Sequence, residues 1–473
     1  MTETSSNSVQ TTLASGRLSD RPDARREQAA VRRRQASTLV LMYGVLISIA
    51  TVLLGTFLFA LLASVKEDPL EQPFRFWFAQ INPVNWAGAW EQGREGSGNA
   101  WWGGFSPGGE VTFHLTYAAP VGEELAAPAI EIPRRRPGTG MAAAVYTDFA
   151  VDYASDLDIR REDGPLYEFT NKDGVTEQWQ QATWHVRFRY EGEGPRIERV
   201  PFSSQAPRSQ TLIDATLPPT RMERRGRVAS WENVTPGVLG YVFNNYRRVF
   251  KESVDLNTGD SLFMSWFQNS LLISLGRVAL TLVLATTGGY ALARLKFPGQ
   301  RAVFFTMLVS MMIPIQVTFI SNYLVIREIN LLNTPWAVII VLVVSAQVLI
   351  MKQFFESVPR EIEEAALMDG AGYWTTFYKV ILPMSKPALI TITIMAFQGA
   401  WNDFFWPLVL INSPPSAFAL PVGLLSLRNA YGGAGDWSLI LAGAFMSTVP
   451  VLILFMVFQR YIVDNPIASG SKE

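Results

Sequence analysis

Residues 363–383 read "EEAALMDGAGYWTTFYKVILP" and lie between two long apolar runs. The stretch is too polar to span a membrane and too ordered in its signals to be a slack linker. Ser357 suits a helix N-cap, with Pro359 tolerated in the first turn. Glu361, Glu363 and Glu364 follow near the positive end of the helix dipole. Ala365 and Ala366 present almost no side chain. Gly370 is placed to take the left-handed conformation that ends a helix. A second helix, about 372–381, is expected to stop before Pro383, and Ser385 and Pro387 begin the next apolar run. These signals predict a rigid helix–turn–helix knob with one side flattened by alanine. Two readings remain open on physics alone: a surface that another protein's backbone approaches closely, or an amphipathic loop resting on a membrane.

The knob's surroundings are membrane-like. Only 17% of the 473 residues are charged and 49% are apolar. The runs 36–65, 267–293, 302–326, 331–351, 387–411 and 437–459 are each long enough to cross a bilayer, broken only by Arg277 and Asp403. Lys and Arg crowd alternate connections. Seven arginines precede the first run, Arg294, Lys296 and Arg301 follow the second, and Lys352, Arg360, Lys379 and Lys386 follow the fourth. That asymmetry predicts six spans with both termini and the knob in the cytoplasm. A net charge of −1 gives no field for nucleic acid. With no cysteine and only His114 and His185, disulfides, thiolate metal sites and histidine triads are excluded or disfavoured. Residues 1–36 are polar and lead into a run too long for a signal peptide.

Residues 66–265 interrupt the spans and face outside in this topology. In "EVTFHLTY", Val111, Phe113, Leu115 and Tyr117 share one face; in "TWHVRFRY", Trp184, Val186, Phe188 and Tyr190 do the same. "VYTDFAVDY" (145–153) alternates more loosely. This period of two predicts an antiparallel sandwich or barrel over about 86–240. His114 and His185 fall on the polar faces as solvated residues. Trp101, Trp102, Trp179 and Trp184 suit either packing or a sugar face.

"EAALMDGAGYWTTFYKVILP" resembles the signature loop of permease subunits of ATP-binding-cassette importers. The matching positions are Glu364, Ala365, Ala366, Gly370, Val380, Leu382 and Pro383. "NYRRVF" (245–250), "NSLLISL" (269–275), "YALARLKFPGQR" (290–301), "NLLNT" (330–334), "AFQGAWNDFFWPLVLI" (396–411), "ALPVGL" (419–424) and "FQRYIV" (458–463) are similar, in the same order, to the smaller permease subunit of maltose-type carbohydrate importers. Three features depart from that pattern: the long insertion, "REINLLNT", and the tail "DNPIASGSKE".

The resemblance implies an all-α polytopic membrane protein of the type I importer permease fold, to which the alternation above adds an inserted extracytoplasmic β-rich domain. Its organisation is a basic tail (1–36), span 1 (37–65), the outer region (66–265), a five-helix core (266–460) with the loop 353–386, and a tail (461–473). It implies a bacterial or archaeal cell membrane, a second permease subunit as heterodimer partner, and an ATPase dimer that holds ATP and Mg. It also implies an extracytoplasmic sugar-binding protein, and no cofactor in this chain. The chain contains no GxxxxGK[ST] phosphate loop, which agrees with a non-enzyme. The loop residues implied to receive the ATPase are Glu364, Ala365, Ala366, Asp369, Gly370 and Pro383.

A candidate substrate path is offered by Gln398, Asn402 and Trp406 at i, i+4, i+8, with Asp403 beside them and Gln316 beyond a kink expected at Pro314. The alternative is glue between helices of two permeases. Arg277 is expected to snorkel outward. Maltodextrin, trehalose, other oligosaccharides, polyols and glycerol phosphates remain open as substrates. Ion-coupled transport and a membrane-anchored carbohydrate-binding module are the rivals, and both leave the knob or the five later spans unexplained.

Overall fold

A computed structural model describes residues 22–463 except 70–74, 133–148, 154–166, 171–175, 194–195, 225, 256–257, 315–316, 342–343 and 432–436. Contacts divide the chain at Leu62 into two units. The first holds most of α1 (Pro22–Val65), whose apolar stretch Thr38–Val65 is long enough to cross a membrane. The helix begins inside the segment expected as a tail.

In the second unit, α2 (Pro83–Ser97) precedes a β-rich insertion. Its strands are β1 (Glu110–Pro120), β2 (Ala129–Glu131), β3 (Phe149–Tyr153), β4 (Tyr167–Thr170), β5 (Thr176–Tyr190), β6 (Phe202–Gln205), β7 (Thr211–Ala215), β8 (Arg221–Glu223) and β9 (Val228–Trp231). One sheet runs β3-β5-β1-β7, with β4 also on β5; the other runs β2-β6-β9-β8. Every described pairing is antiparallel. The alternation in β1 and β5 does what the sequence predicts. Val111, Phe113 and Leu115 pair with Phe188, Val186 and Trp184, and all six side chains are buried. Phe202 and Trp231 from the second sheet stack at 4.7 Å and meet Phe113 edge-on. His114 and His185 pair across the polar face with rings 4.4 Å apart.

The insertion is riveted to the helical core through α3 (Val238–Val242) and α4 (Asn244–Glu252). Arg199 binds both Glu232 and Glu252, and Arg248 binds Glu252 at 2.8 Å. Asn245 Nδ2 donates to the carbonyls of Ser64, Val65 and Lys66, which close the end of α1. Those carbonyls have no intrahelical donor, so a side-chain amide there satisfies groups that are otherwise costly to bury.

The core is organised by α5 (Leu262–Arg294), an unbroken 33-residue helix about 50 Å long. Around it lie α6 (Gln300–Met312), α7 (Phe319–Glu328), α8 (Pro335–Ile340), α9 (Ser345–Ser357), α10 (Arg360–Met368), α11 (Tyr373–Thr376), α12 (Leu382–Met384), α13 (Lys386–Trp401), α14 (Phe405–Leu410), α15 (Leu420–Tyr431) and α16 (Trp437–Val463). A Cβ on Gly289 of α5 comes within 2.6 Å of the Met351 Cβ, so this glycine lets α9 lie directly against the rod.

Among the described residues, only Thr38–Val65, Leu262–Arg294 and Trp437–Gln459 are single continuous helices of spanning length. The other expected runs are broken. Ile313, before Pro314, is extended (ψ 118°), because the proline ring disfavours helical backbone in its predecessor. The run 331–351 is divided between α8 and α9, and the run 387–411 between α13 and α14. A π-turn over Phe377–Ile381 bends the chain before α12, and the helices on either side of Ser385 meet at 76°. Pro383 lies inside this helical segment rather than beyond it. It follows closely on the π-turn, where the helix already departs from the regular i→i+4 ladder that a proline would interrupt. Ser357 is likewise not an N-cap: it closes α9, with its hydroxyl donating to Phe354 O, and Pro359 leads into α10.

Glu67, two residues past α1, lies beside Thr220, Gln80, Arg248 and Arg199. Burial raises its carboxyl to about 7, against hydrogen bonds to Thr220 and Gln80 and the charges of Arg248 and Arg199. The folded chain therefore holds a proton that the unfolded chain has released. This contribution to stability is complete below the unfolded value of about 4.5 and is lost as pH rises through about 7. In Glu67→Gln the fall in melting temperature between pH 5 and pH 8 is expected to flatten. An unchanged pH slope in scanning fluorimetry contradicts the assignment.

Candidate functional site

Two arginines on α5 define the site. Arg277 does not snorkel: it is 7% exposed. Its Nη1 lies 2.6 Å from Asp403 Oδ2, its Nε donates to Val338 O at 2.9 Å, and its Nη2 to Val341 O at 3.2 Å. Val338 and Val341 belong to the end of α8, where the helix stops and its carbonyls lose their own donors. Asp403 lies in the gap between α13 and α14, and its Oδ1 accepts from Trp406 N at 3.2 Å. One guanidinium thus fastens two broken helices to the continuous one. A charge in this setting is expelled into water unless it is paired, and here it is paired and also hydrogen-bonded. Around it Ile273, Val338, Ile339, Trp406 and Leu410 form a buried cluster.

The structure separates the expected substrate-path residues. The helix stops at Trp401, so Gln398, Asn402 and Trp406 do not form one face. Gln398 and Asn402 are exposed, and Asn402 Nδ2 donates to Gln398 O. Trp406 is buried in the Arg277 cluster at 3% exposure. Gln316 lies outside the described residues.

The second arginine, Arg294, ends α5. Its Nε lies 3.1 Å from Glu363 Oε1, and its Nη2 donates to the carbonyls of Phe355 and Val358. Those carbonyls close α9, and Glu363 lies on α10, so Arg294 joins the rod to both sides of the knob's entry. The knob's exit is plugged by Phe377 and Ile381, both buried with Tyr290, Met351 and Phe355. Tyr290 and Phe377 rings are 4.8 Å apart.

The turn at Gly370 forms as the sequence predicts. Gly370 has φ +82°, Ala371 N donates to Ala366 O, and Gly370 N donates to Leu367 O. This pair of bonds satisfies the last carbonyls of α10. Glu364, Ala365, Asp369, Gly370 and Pro383 are exposed, Ala366 is half-buried, and nothing lies within 4 Å of a Cβ built on Gly370. Met368, Tyr373, Trp374 and Tyr378 are exposed. Around the small-residue turn the knob therefore shows an apolar and aromatic surface that the rest of this chain leaves uncovered.

Sequence reasoning singled out Arg277 and Asp403 as the ionisable residues of the spans but did not pair them, because they are 126 residues apart. In the sequence alone Arg294 and Glu363 show only as loop charge and helix-dipole charge.

Residues 285–465 match the family described as the binding-protein-dependent transport system inner membrane component. The chain is 31% identical over 274 residues to the arabinooligosaccharides transport system permease protein AraQ of Halalkalibacterium halodurans, covering 58% of this chain and 93% of that protein. It is 31% identical to the diacetylchitobiose uptake system permease protein NgcG of Streptomyces coelicolor, covering 47% of this chain and 72% of that one. A crystal structure of a bacterial ABC transporter involved in alginate import is similar at 29% identity, covering 46% of this chain and 79% of that chain, with a TM-score of 0.41. The protein belongs to the family of inner-membrane components of binding-protein-dependent transport systems. It is a multi-pass membrane permease.

Removing one partner of a buried ion pair strands the other charge and costs about 3–5 kcal/mol. Arg277→Met is expected to destabilise the detergent-solubilised protein by that order. Arg277→Met combined with Asp403→Leu is expected to recover part of the loss, but not the share due to the Val338 and Val341 carbonyls. Thermal melts of the two variants that superimpose on the parent's overturn this role.

Proposed function

We propose that the chain is one permease subunit of an ATP-driven, binding-protein-dependent importer for oligosaccharides. In this reading it forms half of the translocation path, and an ATPase on separate subunits, carrying ATP and Mg, drives it through the knob at 353–386. The observation that carries the proposal is the locked but exposed knob. Its turn is open to a partner, while Arg294–Glu363 and Phe377 hold it to α5. A load applied at Gly370 is then transmitted to the rod rather than absorbed by a loose loop.

The topology in this proposal counts six crossings, with α6 plus α7 and α8 plus α9 as two broken ones. At 1.5 Å per residue, α6 and α7 together cover about 34 Å, enough for the hydrocarbon core. The arginine-rich N-terminal segment and the knob face the cytoplasm, and the insertion faces outside, where it is placed to meet a sugar-binding protein. A second permease subunit covers the exposed Gln398 and Asn402, so that substrate passes between the two halves. The relatives are named for arabinooligosaccharides, diacetylchitobiose and maltodextrin. These names support a short oligosaccharide as substrate.

The test is reconstitution of the whole complex in proteoliposomes with its binding protein and a panel of these sugars. One oligosaccharide is expected to stimulate ATP hydrolysis and to accumulate inside. Gly370→Trp places bulk where this chain leaves open space, at a left-handed backbone position costing about 1–2 kcal/mol for a non-glycine residue. The variant complex is expected to reach the membrane yet lose sugar uptake by tenfold or more. Normal uptake by Gly370→Trp refutes the docking role of the knob.

A further inference from the structure

The base of the insertion carries an apolar surface that its own core does not use. Five of the chain's 14 tryptophans fall within residues 77–102. Trp77, Trp86, Trp90, Trp101 and Trp102 are exposed by 64, 37, 41, 52 and 43%, and Val84 beside them by 78%. The sandwich is filled instead by Phe113, Phe188, Phe202 and Trp231. Single exposed apolar residues are ordinary, but a cluster of this size marks a surface that something covers.

The tryptophans form one ridge. Trp86 and Trp90 stand a turn apart on the outer side of α2, whose inner side buries Ala89, Gln92, Gly93 and Gly96. Trp90 meets Trp101 edge-on at 5.2 Å. Asn85 Nδ2 and Trp86 Nε1 each donate at 2.9 Å to Ala79 O and Gln80 O, and so tie the turn after Trp77 to α2.

The height of the ridge is set by α4. Arg247 of that helix donates to Trp102 O at 3.0 Å and lies over the Trp102 ring at 5.6 Å. Two residues earlier, Asn245 closes the end of α1 at Ser64–Lys66. Tyr246 meets Phe445, and Phe243, 43% exposed, lies 6.0 Å from Tyr246. Phe445 is eight residues past the first residue of α16, about 12 Å along that helix. The ridge therefore stands beside the point where the apolar stretch of α1 ends.

We propose that this tryptophan ridge is a membrane-docking surface that seats the base of the insertion in the headgroup region of the bilayer. Tryptophan suits that layer, because its ring is apolar on its faces and polar at one edge. A sugar needs polar groups beside the rings to meet its hydroxyls, and several of those nearest already serve the backbone. Asn85 and Trp86 donate to backbone carbonyls, and Asn99 Oδ1 accepts from the backbone N–H groups of Trp101 and Trp102. Docking limits the swing of the insertion relative to the mouth of the spans. The inference rests on the reading of the long apolar helices as membrane spans, and not on which side of the membrane the insertion faces.

The absence of cysteine makes the test direct. Single-cysteine variants Trp77→Cys, Trp90→Cys and Trp101→Cys of the full chain, in the complex reconstituted into phosphatidylcholine–phosphatidylglycerol bilayers, are labelled with a fluorophore. They are then challenged with lipids carrying a nitroxide at acyl carbon 5 or carbon 12, and with aqueous iodide. Labels on the ridge are expected to be quenched at least twofold more by the carbon-5 lipid than by the carbon-12 lipid, and weakly by iodide. Glu223→Cys on β8 is expected to respond to iodide alone. Ridge labels open to iodide, or shielded from both kinds of quencher as beneath a protein or an oligosaccharide, overturn the proposal. Leu53→Cys in α1 reports separately on the spans: if it is not quenched by the carbon-12 lipid, the spanning reading fails rather than the ridge.

Discussion

The core depends on one buried cation. In hydrocarbon a helix cannot break without stranding carbonyls and N–H groups, since no water is present to receive them. This chain breaks its helices repeatedly and keeps α5 whole. Arg277 reconciles the two facts. Its fork of donors meets two carbonyls at the end of α8 and the carboxylate in the gap between α13 and α14. Its charge is neutralised at the same place by Asp403, which also receives the Trp406 N–H at the start of α14. Removing the arginine leaves an anion, two carbonyls and two helix breaks without their common support.

The same rod ends in a second arginine, with a different outcome. Arg294 closes α9 and grips Glu363, so the knob begins from a fixed point. Phe377 and Ile381 fix its return. Between these anchors the turn itself is bare, with a left-handed glycine and a fringe of exposed aromatics. A surface that is rigid from behind and uncovered in front is suited to accept a push. α5, with Arg294 at its end and Arg277 seventeen residues earlier, is an unbroken path from that surface to the breaks inside the bundle.

Local chemistry in the sequence was legible. The alternation at 111–117 and 184–190 predicted the inward faces of the sandwich, and Gly370 predicted the turn of the knob, because both are set by neighbours along the chain. Pro314 likewise predicted its break. The pairing of Arg277 with Asp403 was not legible, because the two meet only after α5, α8 and α13 are packed. Counting apolar residues missed the end of α8 at Ile340 and the break at 402–404, since hydropathy reports solvent preference and not helix continuity. The shared face of Gln398, Asn402 and Trp406 assumed an uninterrupted period of 3.6, and Asp403's attachments end that period at Trp401. In the sequence alone Trp101 and Trp102 suit either packing or a sugar face, and their exposure is visible only in the folded chain.

The claim at the centre of this account is that α5 carries ATP-driven movement from the knob into the membrane. The most direct measurement is the number of sugar molecules imported per ATP hydrolysed in proteoliposomes, compared between the parent complex and Arg294→Gln. The account predicts that hydrolysis persists while the ratio falls by tenfold or more, because the knob still binds the ATPase but has lost its grip on the rod. A ratio equal to the parent's, in a complex assembled to the same extent, contradicts it.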